Sequence, residues 1–252
     1  MAKQRGGPPI PFESLCDGYS LAVANAFELL TSSLQLIDRP SVGLALAELG
    51  QEELGKSLSI LAATSLSSDP ANWSWFWSTW RNHVVKAHRA FLYELVNPVR
   101  LEAHSPDGTR LAGASFRASL PTEKDVGIYV AYDSQNEMFV APSAAVGPIE
   151  AYHRATTLLY LGLTARAVLK ALESRPDRTW YRLFGEVAFR ICSEELYQQQ
   201  MPQVFAEFRA RSGQHAELIE TLNVFLEDAR KELAELVEGG KKLAESRKRS
   251  DA

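Results

Sequence analysis

The sequence predicts an all-α protein, a helical bundle that carries one small β-hairpin insertion. Three observations predict this class. Apolar residues recur at three- and four-residue steps over several long stretches, which is the spacing of a buried helix face. One of these stretches, 41–61, is apolar nearly all round, as expected of a helix in the middle of a bundle. The helical spacing is lost over residues 97–147, where alternating segments indicate the hairpin.

The composition is that of an ordinary globular protein, with 252 residues, 46% hydrophobic and 23% charged. A net charge of -4 argues against a broadly basic surface that coats nucleic acid, although a local basic cleft is compatible with it. Cys16 and Cys192 lie far apart and lack metal-ligand spacing, which favours a reducing compartment. The N-terminal residues lack the apolar core of a signal peptide, and no run approaches the ~18 apolar residues of a membrane span. We therefore expect a cytoplasmic protein without a membrane partner.

The N-terminal half begins with residues 1–11, which contain three prolines and two glycines and are expected to form a flexible arm. A helical core follows over residues 12–96. Its first helix is predicted at 12–37, and the break at 38–40 offers Ser41 as the N-cap of the central helix. The third helix is predicted to start near Asn72 and to continue to about Val96.

Residues 97–147 form the predicted insertion, with a hairpin that turns at Asp133-Ser134-Gln135-Asn136. An isolated hairpin is marginal and should pack on the helices. The C-terminal helices, over 148–243, are expected to complete the bundle, with a kink or break at Pro202. Residues 244–252 are interpreted as a solvated basic tail.

Charges interrupt the apolar pattern of the central helix, where Glu48, Glu52, Glu53 and Lys56 share one sector. Buried charges need partners. Lys56 follows Glu52 at the favourable i+4 spacing, and Glu48 and Glu53 require cations from another helix. Two helix glycines, Gly50 and Gly55, each cost up to ~1 kcal/mol relative to alanine, which is easier to explain if another helix or a ligand comes close. The alternative is an ordinary solvated charge ladder; if the cluster is buried instead, Lys56→Met should cost roughly 3 to 5 kcal/mol.

The third helix carries both an aromatic stripe and titratable side chains. The stripe predicts a core face or a dimer seam rather than a base-stacking platform, and its members are Trp73, Trp77, Trp80, Val84 and Phe91. On one continuous helix Arg81 and His88 lie within about 20° of each other. On nearly the opposite side, His83 and Lys86, with Asn82 beside them, would meet the charges of an antiparallel central helix.

A metal site is the other chemistry considered. Glu150 and His153 form one ExxH motif, and bundles with two such motifs and two further carboxylates hold di-iron centres. This chain has one copy, and Lys56 beside Glu48 and Glu52 opposes a bound cation. We therefore expect neither a metal nor a cofactor.

Several strings in their order and spacing resemble the AbiV-type abortive-infection proteins, a branch of the HEPN superfamily. These are EELGK at 52–56, HVVK at 83–86, Asn25 on the preceding helix and the GIYV hairpin within 123–142. Ile128 and Ala131 depart from the leucine and aspartate usual there. The resemblance covers roughly residues 20 to 170 and implies an HEPN-like helical bundle.

HEPN domains are commonly dimeric, and many are metal-independent ribonucleases marked by an arginine followed after four to six residues by a histidine. Arg81 and His88 fit this pattern at its long limit, so the resemblance implies Arg81, His88 and His83 as catalytic residues. It implies an RNA-binding or charge cluster formed by Asn25, Glu52, Glu53, Lys56, Asn82 and Lys86. Expected partners are a second copy, RNA as substrate and a phage protein as activator.

Two functions follow from this resemblance. The first is a toxin-like antiphage effector that cleaves RNA and halts translation, with histidine moving the proton and arginine holding the phosphate. The alternative is a non-enzymatic interaction protein that blocks translation or senses a phage protein by binding. In that case His88 is a core histidine and Arg81 an ion-pair partner at the rim.

Overall fold

The structure, a computed structural model, describes residues 7–36, 38–67, 70–93, 131–133, 138–140, 146–193, 207, 210 and 213–250. The helices named within these ranges are α1 (Phe12–Gln35), α2 (Pro40–Ala63), α3 (Pro70–Trp80), α4 (His83–Ala90), α5 (Pro148–Glu173), α6 (Thr179–Ser193) and α7 (Gly213–Ser250). The predicted all-α bundle is confirmed.

The small hairpin is also confirmed. Strand β1 (Ala131–Asp133) pairs antiparallel with β2 (Met138–Val140), in the register Ala131↔Val140 and Asp133↔Met138. Asp133 therefore belongs to the strand instead of opening the turn. The rest of the predicted insertion up to residue 145 lies outside the described residues, as do the connection at 134–137 and Pro202.

Helix α2 is the centre of the bundle, as its all-round apolar pattern predicts, and it packs against α1, α4, α5 and α6. Leu54, Leu58 and Leu61 are fully buried on it, each stabilising the fold by about 1.5 to 3 kcal/mol. Its two glycines mark close approaches, Gly50 to the Leu30 side chain of α1 and Gly55 to the backbone of α4. The prediction that these glycines admit a neighbouring helix is confirmed.

A chain of buried hydroxyl groups crosses this core. Ser57 of α2 shares a 2.7 Å hydrogen bond with the Tyr93 hydroxyl, which donates to the Tyr19 hydroxyl of α1 at 3.4 Å. Tyr19 in turn donates to the backbone carbonyl of Ala165 in α5. Burial raises the pKa of Tyr19 well above its ordinary value, so the hydroxyls stay neutral and link three helices.

Helix α5 is the second central helix. Of the described helices it is the one long and apolar enough to cross a membrane. However, 67% of its most apolar 18-residue stretch is buried inside the fold. Leu158, Leu159 and Leu161 are fully buried on it. A core helix of a bundle meets the same criteria of length and composition.

Two predicted helix boundaries are wrong. The third helix does not run unbroken towards Val96, because the chain leaves the helix after Trp80 and begins α4 at His83. The Asn82 side chain caps α4 by accepting a 3.2 Å hydrogen bond from the Val85 amide. Helix α2 is not capped by Ser41, since its N-cap is Arg39 and its first residue is Pro40, whose fixed φ suits that position.

Both ends of the chain differ from expectation. Gly7 of the predicted flexible arm lies against the Trp77 ring, and the Trp77 indole donates to the Pro8 carbonyl at 3.1 Å. The predicted tail from 244 continues α7 as helix to Ser250. At Gly240 the absence of a side chain lets α7 pack on Leu34 of α1.

The aromatic residues of α3 pack largely inside the chain. Trp73 is buried against Phe76, which also stacks on Trp80, and Trp75 meets the Phe189 ring of α6. The break before α4 interrupts the predicted single stripe. These rings therefore anchor α3 to the rest of the bundle.

Candidate functional site

The acidic side chains of α2 include a buried ion pair. Arg154 of α5 donates from Nε to Oε1 of Glu48 at 2.7 Å, and the two side chains are only 9% and 8% exposed. The prediction that Glu48 needs a cation from another helix is confirmed. Removing either partner would leave the other charge buried and uncompensated.

Gln51 extends this pair to α4. Its Oε1 accepts a 2.7 Å hydrogen bond from Arg154, and its Nε2 donates at 2.7 Å to the carbonyl of Ala87. The Arg154 guanidinium also lies 5.5 Å from the centre of the Phe91 ring, within cation-π range. Three helices are thus joined by one polar network that is almost entirely out of solvent.

A second acid–base contact begins at Glu52, the residue that follows Gln51 on α2. His83 Nδ1 is 2.7 Å from Oε2 of Glu52, which brings together two residues expected to meet across the helices. Only 11% of the Glu52 side chain is exposed, whereas 68% of the His83 side chain is exposed. Lys86, one turn further on α4, is buried. The pair therefore runs from the bundle interior to the surface.

Lys56 behaves differently from its prediction. It bonds to Glu53 at i−3 and not to Glu52 at i−4, and the side chains are 26% and 18% exposed. Since both i,i+3 and i,i+4 pairs are neighbours on a helix, the spacing alone did not decide between them. The charged sector of α2 is thus a partly solvated pair beside a buried network.

Arg81 and His88 do not share one helix. Arg81 is exposed in the turn between α3 and α4, and Asn82 is occupied as the helix cap. The 20° separation derived from a continuous helix is wrong, because the backbone turns between them. His88 is exposed near the end of α4, so it is not a core residue of the single chain, although its ring is partly covered.

The electrostatic surroundings of His88 favour its neutral form. Partial burial of the imidazole and the neighbouring Arg89 cation both lower the pKa of His88 from its ordinary value of 6.5. Both effects disfavour a second positive charge at this point. His88 is therefore neutral at neutral pH, and the same surroundings oppose the cation that it would become on accepting a proton.

Asn25 lies on α1 and is exposed. Among the described residues it makes no hydrogen bond to Glu52, Lys56 or His83. The hydrogen bonds described for this cluster therefore do not involve Asn25.

Two arginines important for this arrangement were missed by the sequence analysis. One is Arg154, hidden between the residues of the ExxH motif and the apolar run of α5. The other is Arg89, which is buried, donates to the Ser59 hydroxyl at 2.8 Å and lies 4.8 Å from the centre of the Trp75 ring. For Arg154 a signal did exist, because the acid Glu48 in the apolar central helix requires a cation from another helix.

The residues of the considered metal site do not come together. Glu150 and His153 are exposed on α5, and the Arg154 guanidinium occupies Glu48. Within the described ranges no group of three or more His, Cys, Asp or Glu side chains is placed to hold a metal ion. Cys16 and Cys192 are free thiols, each with its pKa raised to about 11 by burial.

Comparison with known proteins adds one match. The HEPN_AbiV family model, described as AbiV, matches residues 14–157, which is more than half of the chain. This span runs from α1 into α5 and contains Glu48, Glu52, His83 and Arg154. No curated protein and no solved structure matches the chain.

Proposed function

The chain belongs to the AbiV family of abortive-infection proteins in the HEPN superfamily, and from this premise we propose that it halts translation in phage-infected cells by cleaving RNA. The observation that supports cleavage most strongly is the start of α4. There an exposed histidine, His83, is bound to a nearly buried carboxylate two residues after the exposed Arg81. An acid–base group next to a phosphate-binding cation is the minimum that RNA cleavage without a metal requires.

The proposed reaction is attack by the RNA 2′-hydroxyl on the adjacent phosphorus. A histidine removes the hydroxyl proton, the 2′ oxygen bonds to phosphorus, and the bond from phosphorus to the 5′ oxygen breaks. The leaving 5′ oxygen takes up a proton, which gives a cyclic phosphate and a free 5′-hydroxyl. In this scheme His83 and His88 are the acid–base candidates, and Arg81 neutralises the charge that develops on the phosphate.

We propose a homodimer, a phage protein as activator and a cytoplasmic location as the setting of this activity. The dimer proposal rests on the family, in which dimers are common. The aromatic stripe gives it little support, because Trp73 and Phe91 are buried within one chain. A second copy would double the number of α4 termini that face RNA.

The buried polar network fits the non-enzymatic alternative as well as it fits the enzymatic one. Glu48, Gln51 and Arg154 satisfy one another inside the bundle, so this part of the charged sector acts as a clasp between helices. A protein that works only by binding would need the clasp for its fold and would need no histidine. The two functions therefore predict different effects for substitutions of His83 and His88, and the same effect for a substitution of Arg154.

The test is incubation of the purified full-length protein with total RNA in EDTA, with and without extract of phage-infected cells. Wild type is compared with Arg81→Ala/His88→Ala, with His83→Ala and with His153→Ala, which removes an exposed histidine of α5 as the matched control. We expect cleavage by wild type and His153→Ala, and its loss in the other variants. Protection from phage by all four proteins without any RNA cleavage would establish the non-enzymatic alternative.

A further inference from the structure

We infer that Glu52 is the positioning residue of this site, and that it makes His83, and not His88, the general base. This inference rests on the proposed ribonuclease function and adds to it which histidine removes the proton and which nitrogen does so.

The argument starts from the hydrogen-bonding capacity of the two groups. An ionised carboxylate can only accept hydrogen bonds, and a neutral imidazole has one donor and one acceptor nitrogen. Glu52 Oε2 lies 2.7 Å from Nδ1 of His83, so an ionised Glu52 beside a neutral ring requires the ring proton on Nδ1. The lone pair is then on Nε2, which is the acceptor a general base needs.

The burial of Glu52 and the exposure of His83 also suit these two roles. The Glu52 side chain is nearly buried on α2, so its carboxylate is held in one place, while most of the His83 side chain is exposed. The backbone of α2 touches that of α4 at Gly55, and Asn82 caps α4 immediately before His83. The carboxylate is thus fixed relative to the ring, and the ring remains open to a substrate.

The charge change during reaction also favours His83. When Nε2 takes the proton of the 2′-hydroxyl, the ring becomes a cation that the Glu52 carboxylate stabilises at hydrogen-bond distance. The 2′ oxygen bonds to phosphorus as the bond between phosphorus and the 5′ oxygen breaks. The leaving 5′ oxygen takes a proton from solvent. At His88 the same cation would form beside Arg89, which opposes it.

The experiment measures the tautomer of His83 directly and RNA cleavage separately, in the full-length protein. Imidazole ¹⁵N shifts of the neutral ring are recorded for wild type, Glu52→Ala and Glu53→Ala, with His83→Ala to assign the signals. Glu53 is the matched control, because it is the adjacent carboxylate and bonds to Lys56 instead. We expect the Nδ1–H form in wild type and Glu53→Ala, and a shift towards the Nε2–H form in Glu52→Ala.

In the cleavage assay we expect kcat to fall roughly 10- to 100-fold in Glu52→Ala, the usual loss for a residue that orients another, and about 10²- to 10⁴-fold in His83→Ala. Glu52→Met, which keeps the length of the side chain but offers no oxygen to accept the Nδ1 proton, replaces Glu52→Ala if the latter does not fold.

A wild-type His83 with its proton on Nε2 would overturn the inference even if RNA is cleaved, and so would full cleavage by a folded Glu52 variant. The expected tautomer with no cleavage by wild type would instead refute the ribonuclease function, and with it the role of His83 as base.

Discussion

Gly55 of α2 lies against the backbone carbonyl of Lys86 in α4, so closely that a Cβ at Gly55 would overlap this oxygen. The contact sits beside the Glu52–His83 pair and sets the distance between the helices that carry it. The glycine lowers helix propensity, but it permits the close approach of the two helices that carry the pair.

Gly55→Ala should separate α2 from α4 and destabilise the protein. Overpacking against a backbone atom typically costs about 1 to 3 kcal/mol, and here neither backbone can yield as a side chain would. Chemical denaturation measures the loss. Gly239→Ala is the control, because a Cβ there meets nothing within 4 Å in a helix, and it should stabilise by up to ~1 kcal/mol. Equal stability of the two variants would contradict the close approach.

Arg154→Met should destabilise the protein by roughly 3 to 5 kcal/mol, because it leaves Glu48 buried without its cation and removes a donor from Gln51. The same substitution at Lys56 is the matched control. Its partner Glu53 and its own side chain are partly solvated, so the expected loss is ~0 to 1 kcal/mol, less than the sequence suggested. Thermal unfolding of both variants gives the comparison, and a larger loss at Lys56 would refute the assignment.

Local pattern determined how much of this fold could be predicted. Helix α2 was predicted at 41–61 and spans Pro40–Ala63, since its apolar residues and glycines report on its surroundings directly. The α3–α4 break was missed because apolar spacing continues across it without glycine or proline, although Asn82 is a good N-cap residue.

The site was predictable only where the partners lie on neighbouring helices. Glu52 and His83 do meet, but α2 and α4 run in the same direction, since Glu52 meets His83, Gly55 meets Lys86 and Ser59 meets Arg89. The expected antiparallel packing is wrong, although helical spacing correctly placed the two residues on facing sides. Arg154 is separated from Glu48 by more than a hundred residues and by the whole insertion, so spacing says nothing about their contact. A long-range ion pair depends on the final packing of the bundle.

The proton equilibrium of His88 provides a third prediction. Because burial and Arg89 lower its pKa, His88 should titrate below 6.5 in an NMR pH series that follows its ring protons. The unfolded chain then binds more protons at this residue than the folded chain does. The free energy of unfolding therefore decreases as the pH falls from 6.5 towards the lowered pKa of the folded state. His88→Gln should make stability less dependent on pH in that window. A pKa above 6.5 would show that an acidic group outweighs Arg89.

The last prediction separates a core role from a dimer role for the tryptophans. Trp73 is 3% exposed, packs on Phe76 and donates its indole N–H to the Ser67 carbonyl at 3.0 Å, all within one chain. Trp73→Ala should therefore cost about 3 to 5 kcal/mol, by an amount independent of protein concentration. Leu21→Ala, at a residue 71% exposed on α1, should cost little. Denaturation at two protein concentrations, with light scattering for the mass, makes the distinction. If Trp73 lay in a subunit seam, its replacement would instead shift the mass towards one 28.0 kDa chain, and the loss of stability would grow as the protein is diluted.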